Sequence, residues 1–174
     1  SITVMKRKDH VSNDPLRFAS CGRPTPWVHV ALMDDDMNEV PDGEPGEICV
    51  RGGNVMQGYW QQPEETQKVM RDGWLLTGDI GHRDAEGYFY ITDRKKDMLL
   101  VNGINVYPRE VEEIIYQFPG VKEAAVIGAP DRIKGQSIVA VIVLKEGMQG
   151  DKEEFLNYCK ENMPDYRVPK TILF

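Results

Sequence analysis

Residues 72–96 read "DGWLLTGDIGHRDAEGYFYITDRKK", and the fold turns on them. A Thr-Gly-Asp turn at 77–79 lies among apolar segments, and an Asp-Arg pair at 93–94 is followed by two lysines. Upstream, apolar runs are short and separated by turn residues; downstream, helical and extended patterns alternate. The chain therefore divides near residue 94.

Working backwards, apolar segments at 27–33, 48–51, 74–77 and 88–92 are separated by Gly, Pro, Asn and Asp. That spacing predicts a small antiparallel sheet or barrel. The connection "DDDMNEVPDGEPGE" offers oxygens from Asp34, Asp35, Asp36, Glu39, Asp42 and Glu44. It lacks the alternating ligands, central glycine and closing glutamate of a calcium loop, so it reads as a solvated hairpin connection.

Working forwards, "PREVEEIIYQFPG" predicts a helix with Pro108 in its first turn and Glu110, Glu112 and Glu113 near its positive end. Val111, Ile114, Ile115 and Phe118 share its apolar face, and Pro119 with Gly120 ends it. "KEAAVIGAPD" and "SIVAVIVLKE" read as strands; the second is apolar at successive positions, as a covered central strand would be. "DKEEFLNYCKENMP" then predicts a helix opened by Asp151 and Glu154 as a capping box, with Phe155, Leu156, Cys159 and Met163 inward. Helices and strands segregated around one sheet predict an α+β unit from about residue 95 and no doubly wound nucleotide fold.

Composition narrows the function. The 174 residues suffice for one ordinary domain or two small ones, and 41% hydrophobic residues can build cores. A formal net charge of −7 argues against a nucleic-acid partner, and the basic run Lys6, Arg7 and Lys8 reads as a solvated turn. No stretch approaches the roughly 20 apolar residues of a membrane span, and no basic-then-apolar leader opens the chain. Cys21, Cys49 and Cys159 are odd in number and far apart, which fits reduced thiols in a cytoplasmic protein acting as small core residues. His10, His29 and His82 have no metal-ligand spacing, so no metal site is assigned, and His82 reads as structural.

The familiar phosphate loops and the Gly-x-Ser-x-Gly elbow are missing from these residues. What remains is the opening stretch. Gly78 allows a tight turn that would aim Asp79 away from the sheet. A carboxylate accepting from two vicinal hydroxyls can fix a ribose, and Arg94 could reinforce the same sugar or a neighbouring phosphate. Equally, Thr-Gly-Asp and Asp-Arg pairs cap turns or pair with each other.

"GEICVRGGNVMQGYWQQPEET", "DGWLLTGDIG", "GYFYITDRKKDMLLVNGINVYPREVEEII" and "VPKTILF" run through nearly the whole chain in order. Together they resemble the later part of the adenylate-forming superfamily of acyl-CoA synthetases, luciferases and adenylation domains, and most of all bacterial long-chain fatty-acid–CoA ligases. The resemblance implies an α+β architecture. Residues 1–94 would be a distorted antiparallel β-barrel subdomain of a larger N-terminal domain, and residues 95–174 a mobile C-terminal domain with helices on a mixed sheet. It also implies an AMP-forming ligase that activates a carboxylic acid, fatty by preference, with ATP and Mg2+, and passes the acyl group to coenzyme A.

Carried over by position, the resemblance gives Asp79 the ribose hydroxyls and Arg94 a second ribose contact. It makes Lys96 the hinge about which the C-terminal domain turns, and lets Gly103, in "VNGINVYP", admit the pantetheine arm. Lys170 is not the family's catalytic lysine, which the resemblance sets beyond Phe174, as it sets the phosphate loop before Ser1. No catalytic residue is therefore expected in this fragment, and the fragment alone is expected to be inactive. Two alternatives stand: an adenylation domain that loads a carrier protein, against which Lys96 and "TDRKK" speak, and a non-catalytic interaction module or remnant.

Overall fold

The computed structural model describes residues 1–11, 15–133 and 135–174. In chain order its strands and helices are β1 (Thr3–Val4), β2 (Arg23–Pro24), β3 (Val28–Met33), β4 (Gly46–Gly52), α1 (Pro63–Val69), β5 (Met70–Arg71), β6 (Trp74–Arg83) and β7 (Phe89–Arg94). There follow β8 (Leu99–Val101), β9 (Ile104–Val106), α2 (Pro108–Ile115), β10 (Val121–Asp131), β11 (Gly135–Leu144), α3 (Lys152–Asn162) and β12 (Thr171–Leu173). The α+β class is as expected. Two compact units divide the chain, Ser1–Lys96 and Asp97–Phe174. No helix among the described residues is long and apolar enough to cross a membrane.

In the first unit β3, β4, β6 and β5 lie side by side, and β7 adds to β6, all antiparallel. Among the described residues no ladder joins β3 back to β5 or β7. The sheet is thus antiparallel but open, where the spacing predicted a small antiparallel sheet or barrel and the resemblance implied a distorted barrel. Short strands explain this: β5 has two residues, too few to carry a closing ladder as well as its pairing with β6. Val28, Val30, Leu32, Ile48, Val50 and Phe89 pack on one face of the sheet, and Ala31, Met33 and Cys49 on the other.

The turn between β6 and β7 is tied to the rest of the unit by charge. Arg17, buried against the Tyr88 ring at 3.7 Å, reaches Asp84 at 3.2 Å and Glu86 at 2.9 Å. Asp84 also accepts from the Tyr90 hydroxyl and from the backbone N–H groups of Glu86 and Tyr88. Burial pushes the Asp84 carboxyl up, but the Tyr88 and Tyr90 hydrogen bonds and the Arg17 guanidinium outweigh it and hold the carboxyl below its ordinary range. The Tyr88 hydroxyl completes the cluster by donating to the buried Asp9 at 2.6 Å.

The second unit has the sheet order β10, β11, β8, β9, with β12 parallel to β11. Both helices cover one face. Val111 and Ile115 of α2 and Phe155 and Cys159 of α3 pack on Val101, Val126, Ile138, Ala140 and Ile142. Pro108 opens α2, and Asp151 caps α3 by accepting from the N–H groups of Glu153 and Glu154. Phe118 meets Phe155 edge to face at 5.1 Å between centroids.

β11 departs from expectation. It is central, but its outer face is open in part: Val141 and Val143 are 37% and 47% exposed, although Val139 beside them is buried, as are Ile138, Ala140 and Ile142 of the other face. A run of apolar residues does not say which face has a cover, and helices occupy only one here. α1 was not read from the sequence, since none of its residues is buried and it has no apolar face to announce it.

Two outcomes are expected. Phe155→Ala, which empties a site with no solvent exposure, should lower stability by about 3–5 kcal/mol in urea titrations, whereas Ile127→Ala on the open face should change it by no more than about 0.5 kcal/mol. The folded pKa of Asp84 lies below its unfolded value, so its stabilisation is present above the ordinary carboxylate pKa and is lost as pH falls through the folded value. Asp84→Asn should therefore cost about 2 kcal/mol at pH 7 and almost nothing at the acid end of the same unfolding series.

Candidate functional site

The site grows from a mismatch between β4 and β6. Glu47 pairs with Ile80 and Cys49 with Leu76, so the single residue Ile48 faces three residues, 77–79. The surplus forms a bulge that contains the Thr-Gly-Asp turn. Side chains replace the missing ladder bonds: the Thr77 hydroxyl donates to the Ile48 carbonyl at 2.8 Å and accepts from the Asp79 N–H at 3.1 Å. Gly78 is left-handed at φ 73°, and a Cβ there would meet nothing nearer than Arg94 Nη2 at 3.7 Å. The backbone angle, rather than space, asks for glycine at this position.

Beyond the bulge, Asp79 and Arg94 are direct partners across β6 and β7. Arg94 Nε and Asp79 Oδ1 form an ion pair at 2.9 Å, with the side chains 54% and 29% exposed. Among the described residues the second Asp79 oxygen and the two terminal nitrogens of Arg94 have no protein partner. The two expected ribose residues are therefore brought together, and the pairing that the sequence left open is made. An ion pair of this exposure contributes little stability of its own. It does present an unused acceptor beside unused planar donors, which suits a vicinal diol or an anionic oxygen.

Beneath the bulge lies a group that sequence reasoning missed. Glu47, 6% exposed, accepts from the Gly78 N–H at Oε1, 3.0 Å, and from Lys95 Nζ at Oε2, 2.9 Å. Lys95 also donates to Asp35 at 2.6 Å. Burial would lower the Lys95 pKa, but the hydrogen bonds to Asp35 and Glu47 prevail and hold it above its ordinary range. A charged residue at the head of the apolar run Ile48, Cys49 and Val50 was the available signal.

Lys96 is exposed in the 3-10 turn Lys95–Asp97, immediately past that anchor. Gly103 lies in the second unit, at the tip of the hairpin of β8 and β9. With Asn102 at φ 53° and Gly103 at φ 77° it forms a two-residue turn that needs both positive angles, and the space around Gly103 is open. His82 stacks on Tyr90 at 5.0 Å. Asp34, in the acidic connection, accepts from Asn38 and the Asp36 N–H. Cys49 is buried, and burial pushes its thiol up to about 11.

Comparison with known proteins sets this geometry in context. The model of the AMP-binding enzyme family matches residues 2–60, and that of the AMP-binding enzyme C-terminal domain matches residues 110–174. The chain is 46% identical over 155 residues to a long-chain-fatty-acid–CoA ligase of Escherichia coli O6:H1, which covers 89% of this chain and 28% of that protein. It is 46% identical over 156 residues to one of Bacillus subtilis strain 168, at the same coverages. The chain thus spans 28% of the length of these relatives. Among solved structures, o-succinylbenzoate CoA synthetase from Bacillus subtilis with the acyl-adenylate intermediate superposes with a TM-score of 0.84. That match has 32% identity and covers 99% of this chain and 34% of the other. Two family models met in succession, extended identity to ligases and a shared fold lead to one conclusion: the chain belongs to the adenylate-forming family of AMP-binding enzymes.

Proposed function

We propose that this chain forms part of an ATP-dependent acid–CoA ligase. In the complete enzyme a carboxylate oxygen attacks the α-phosphorus of ATP, which is held with Mg2+; pyrophosphate leaves and acyl-AMP forms. The sulfur of coenzyme A then attacks the acyl carbon, and AMP leaves. The observation that carries the reading is the Asp79–Arg94 pair, held on a bulge with one carboxylate oxygen and two guanidinium nitrogens unused among the described residues. Asp79 accepts from the ribose hydroxyls, and Arg94 both orients that carboxylate and adds a contact to the sugar.

Residues 1–94 serve as part of a larger N-terminal domain and residues 95–174 as a C-terminal domain that turns about Lys96. A short exposed turn after an anchored residue suits rotation about a few backbone angles. Gly103, with no atom near its missing Cβ, leaves room for a pantetheine arm to pass close to the backbone. A long-chain fatty acid is the favoured substrate because the relatives named above are ligases for such acids. The acyl-adenylate structure concerns an aromatic acid, so an aromatic substrate is the second reading.

The deciding experiment measures pyrophosphate release by the complete protein with straight-chain and aromatic acids, with and without coenzyme A. Release dependent on a fatty acid, with thioester only when coenzyme A is present, is the expected result; no release with any acid defeats the reading. Asp79→Ala should raise KM for ATP by roughly 10- to 100-fold without unfolding the protein, since each charge-assisted hydrogen bond lost is worth about 1.5–3 kcal/mol. Unchanged ATP kinetics would remove the ribose role. Lys96→Pro should spare pyrophosphate release and depress thioester formation, and equal loss of both would count against the hinge.

A further inference from the structure

Glu47 is an unusual residue to bury. It is the second residue of β4, the next three residues are 4%, 0% and 1% exposed, and an apolar side chain there would avoid desolvating a charge. Its two oxygens go to two groups that flank the Asp79–Arg94 pair. Oε1 takes the N–H of Gly78, the residue before Asp79, and Oε2 takes the ammonium of Lys95, the residue after Arg94. The links close a ring: Gly78 is bonded to Asp79, Asp79 pairs with Arg94, Arg94 is bonded to Lys95, and Lys95 returns through Glu47 to Gly78. Asp35, from the connection between β3 and β4, holds the same ammonium from outside the ring.

We infer that Glu47 and Lys95 are positioning residues for the nucleotide, fixing the bulge so that the free oxygen of Asp79 and the free nitrogens of Arg94 meet one ribose. The inference rests on the ribose reading of Asp79 given above. The bulge needs such a device, because residues 77–79 have lost regular pairing with β4 and Gly78 is the most permissive residue for its backbone to wander. A carboxylate on Gly78 N–H selects one bulge geometry, and its second oxygen ties that choice to the strand carrying Arg94. A buried carboxylate satisfied at both oxygens holds that arrangement.

The test is a double-mutant cycle in the complete protein, read as AMP affinity by calorimetry. Glu47→Gln keeps the shape and an acceptor for Gly78 but removes the charge, and Lys95→Met removes the other end of the link. Each should weaken AMP binding about tenfold, yet neither should weaken it further in the Asp79→Ala background, because groups that act through one another are not additive. The Gly78 amide resonance of 15N-glycine-labelled protein should move upfield in Glu47→Gln. Equal losses in both backgrounds would overturn the positioning role, as would AMP affinity within about twofold of the parent in both variants while Asp79→Ala is impaired. Wild-type AMP affinity in Asp79→Ala would sink the ribose reading and the positioning role with it. A shifted Gly78 resonance in that case would show that the link exists and that the ribose assignment is what failed.

Discussion

One irregular pairing governs the first unit. Where Ile48 of β4 meets three residues of β6, the ladder cannot continue, and the surplus must be satisfied by side chains or leave polar groups stranded in a packed sheet. Thr77 and Glu47 satisfy it from opposite directions, one through a hydroxyl and one through a buried carboxylate. What is proposed for Asp79, Arg94, Glu47 and Lys95 builds on that repair. The register of β6 on β7 sets Asp79 opposite Arg94, and Glu47 ties the bulge to Lys95 at the end of the unit.

Electrostatics in this unit works at two depths. The exposed Asp79–Arg94 pair is cheap to break, because solvent screens it in either state. The Glu47–Lys95 and Arg17–Asp84 pairs each bury one member, so removal of its partner leaves a poorly solvated charge. The second unit is built on different terms: its core is aliphatic and aromatic, its helices cover one sheet face, and its cap and turn residues are local.

The helices of the second unit were legible because each advertises its ends and its buried face. Pro108 and Asp151 mark the starts, and Val111, Ile115, Phe155 and Cys159 recur at helical spacing. α1 was not legible, since a surface helix with no buried residue has no such period. The open outer face of β11 was not legible either, as Val141 and Val143 look the same in sequence whether or not something covers them. Asp79 and Arg94 stood out as candidates, but Glu47 did not, lying in an acidic connection among residues that are solvated.

By itself the sequence determined the α+β class, the change of texture near residue 94, the capped helices and the residues of the candidate ribose pair. The first three are written in local spacing, which neighbouring residues suffice to read, while Asp79 and Arg94 stood out in a short motif and took their ribose reading from resemblance to a family. Tertiary structure decided whether the first sheet closes, which face of β11 is covered, and that Asp79 pairs with Arg94 while Glu47 bridges Gly78 and Lys95. Those outcomes depend on strand register, and one residue of slip would point every side chain to the opposite face. Register is set by packing between segments distant in the chain, so no local reading contains it.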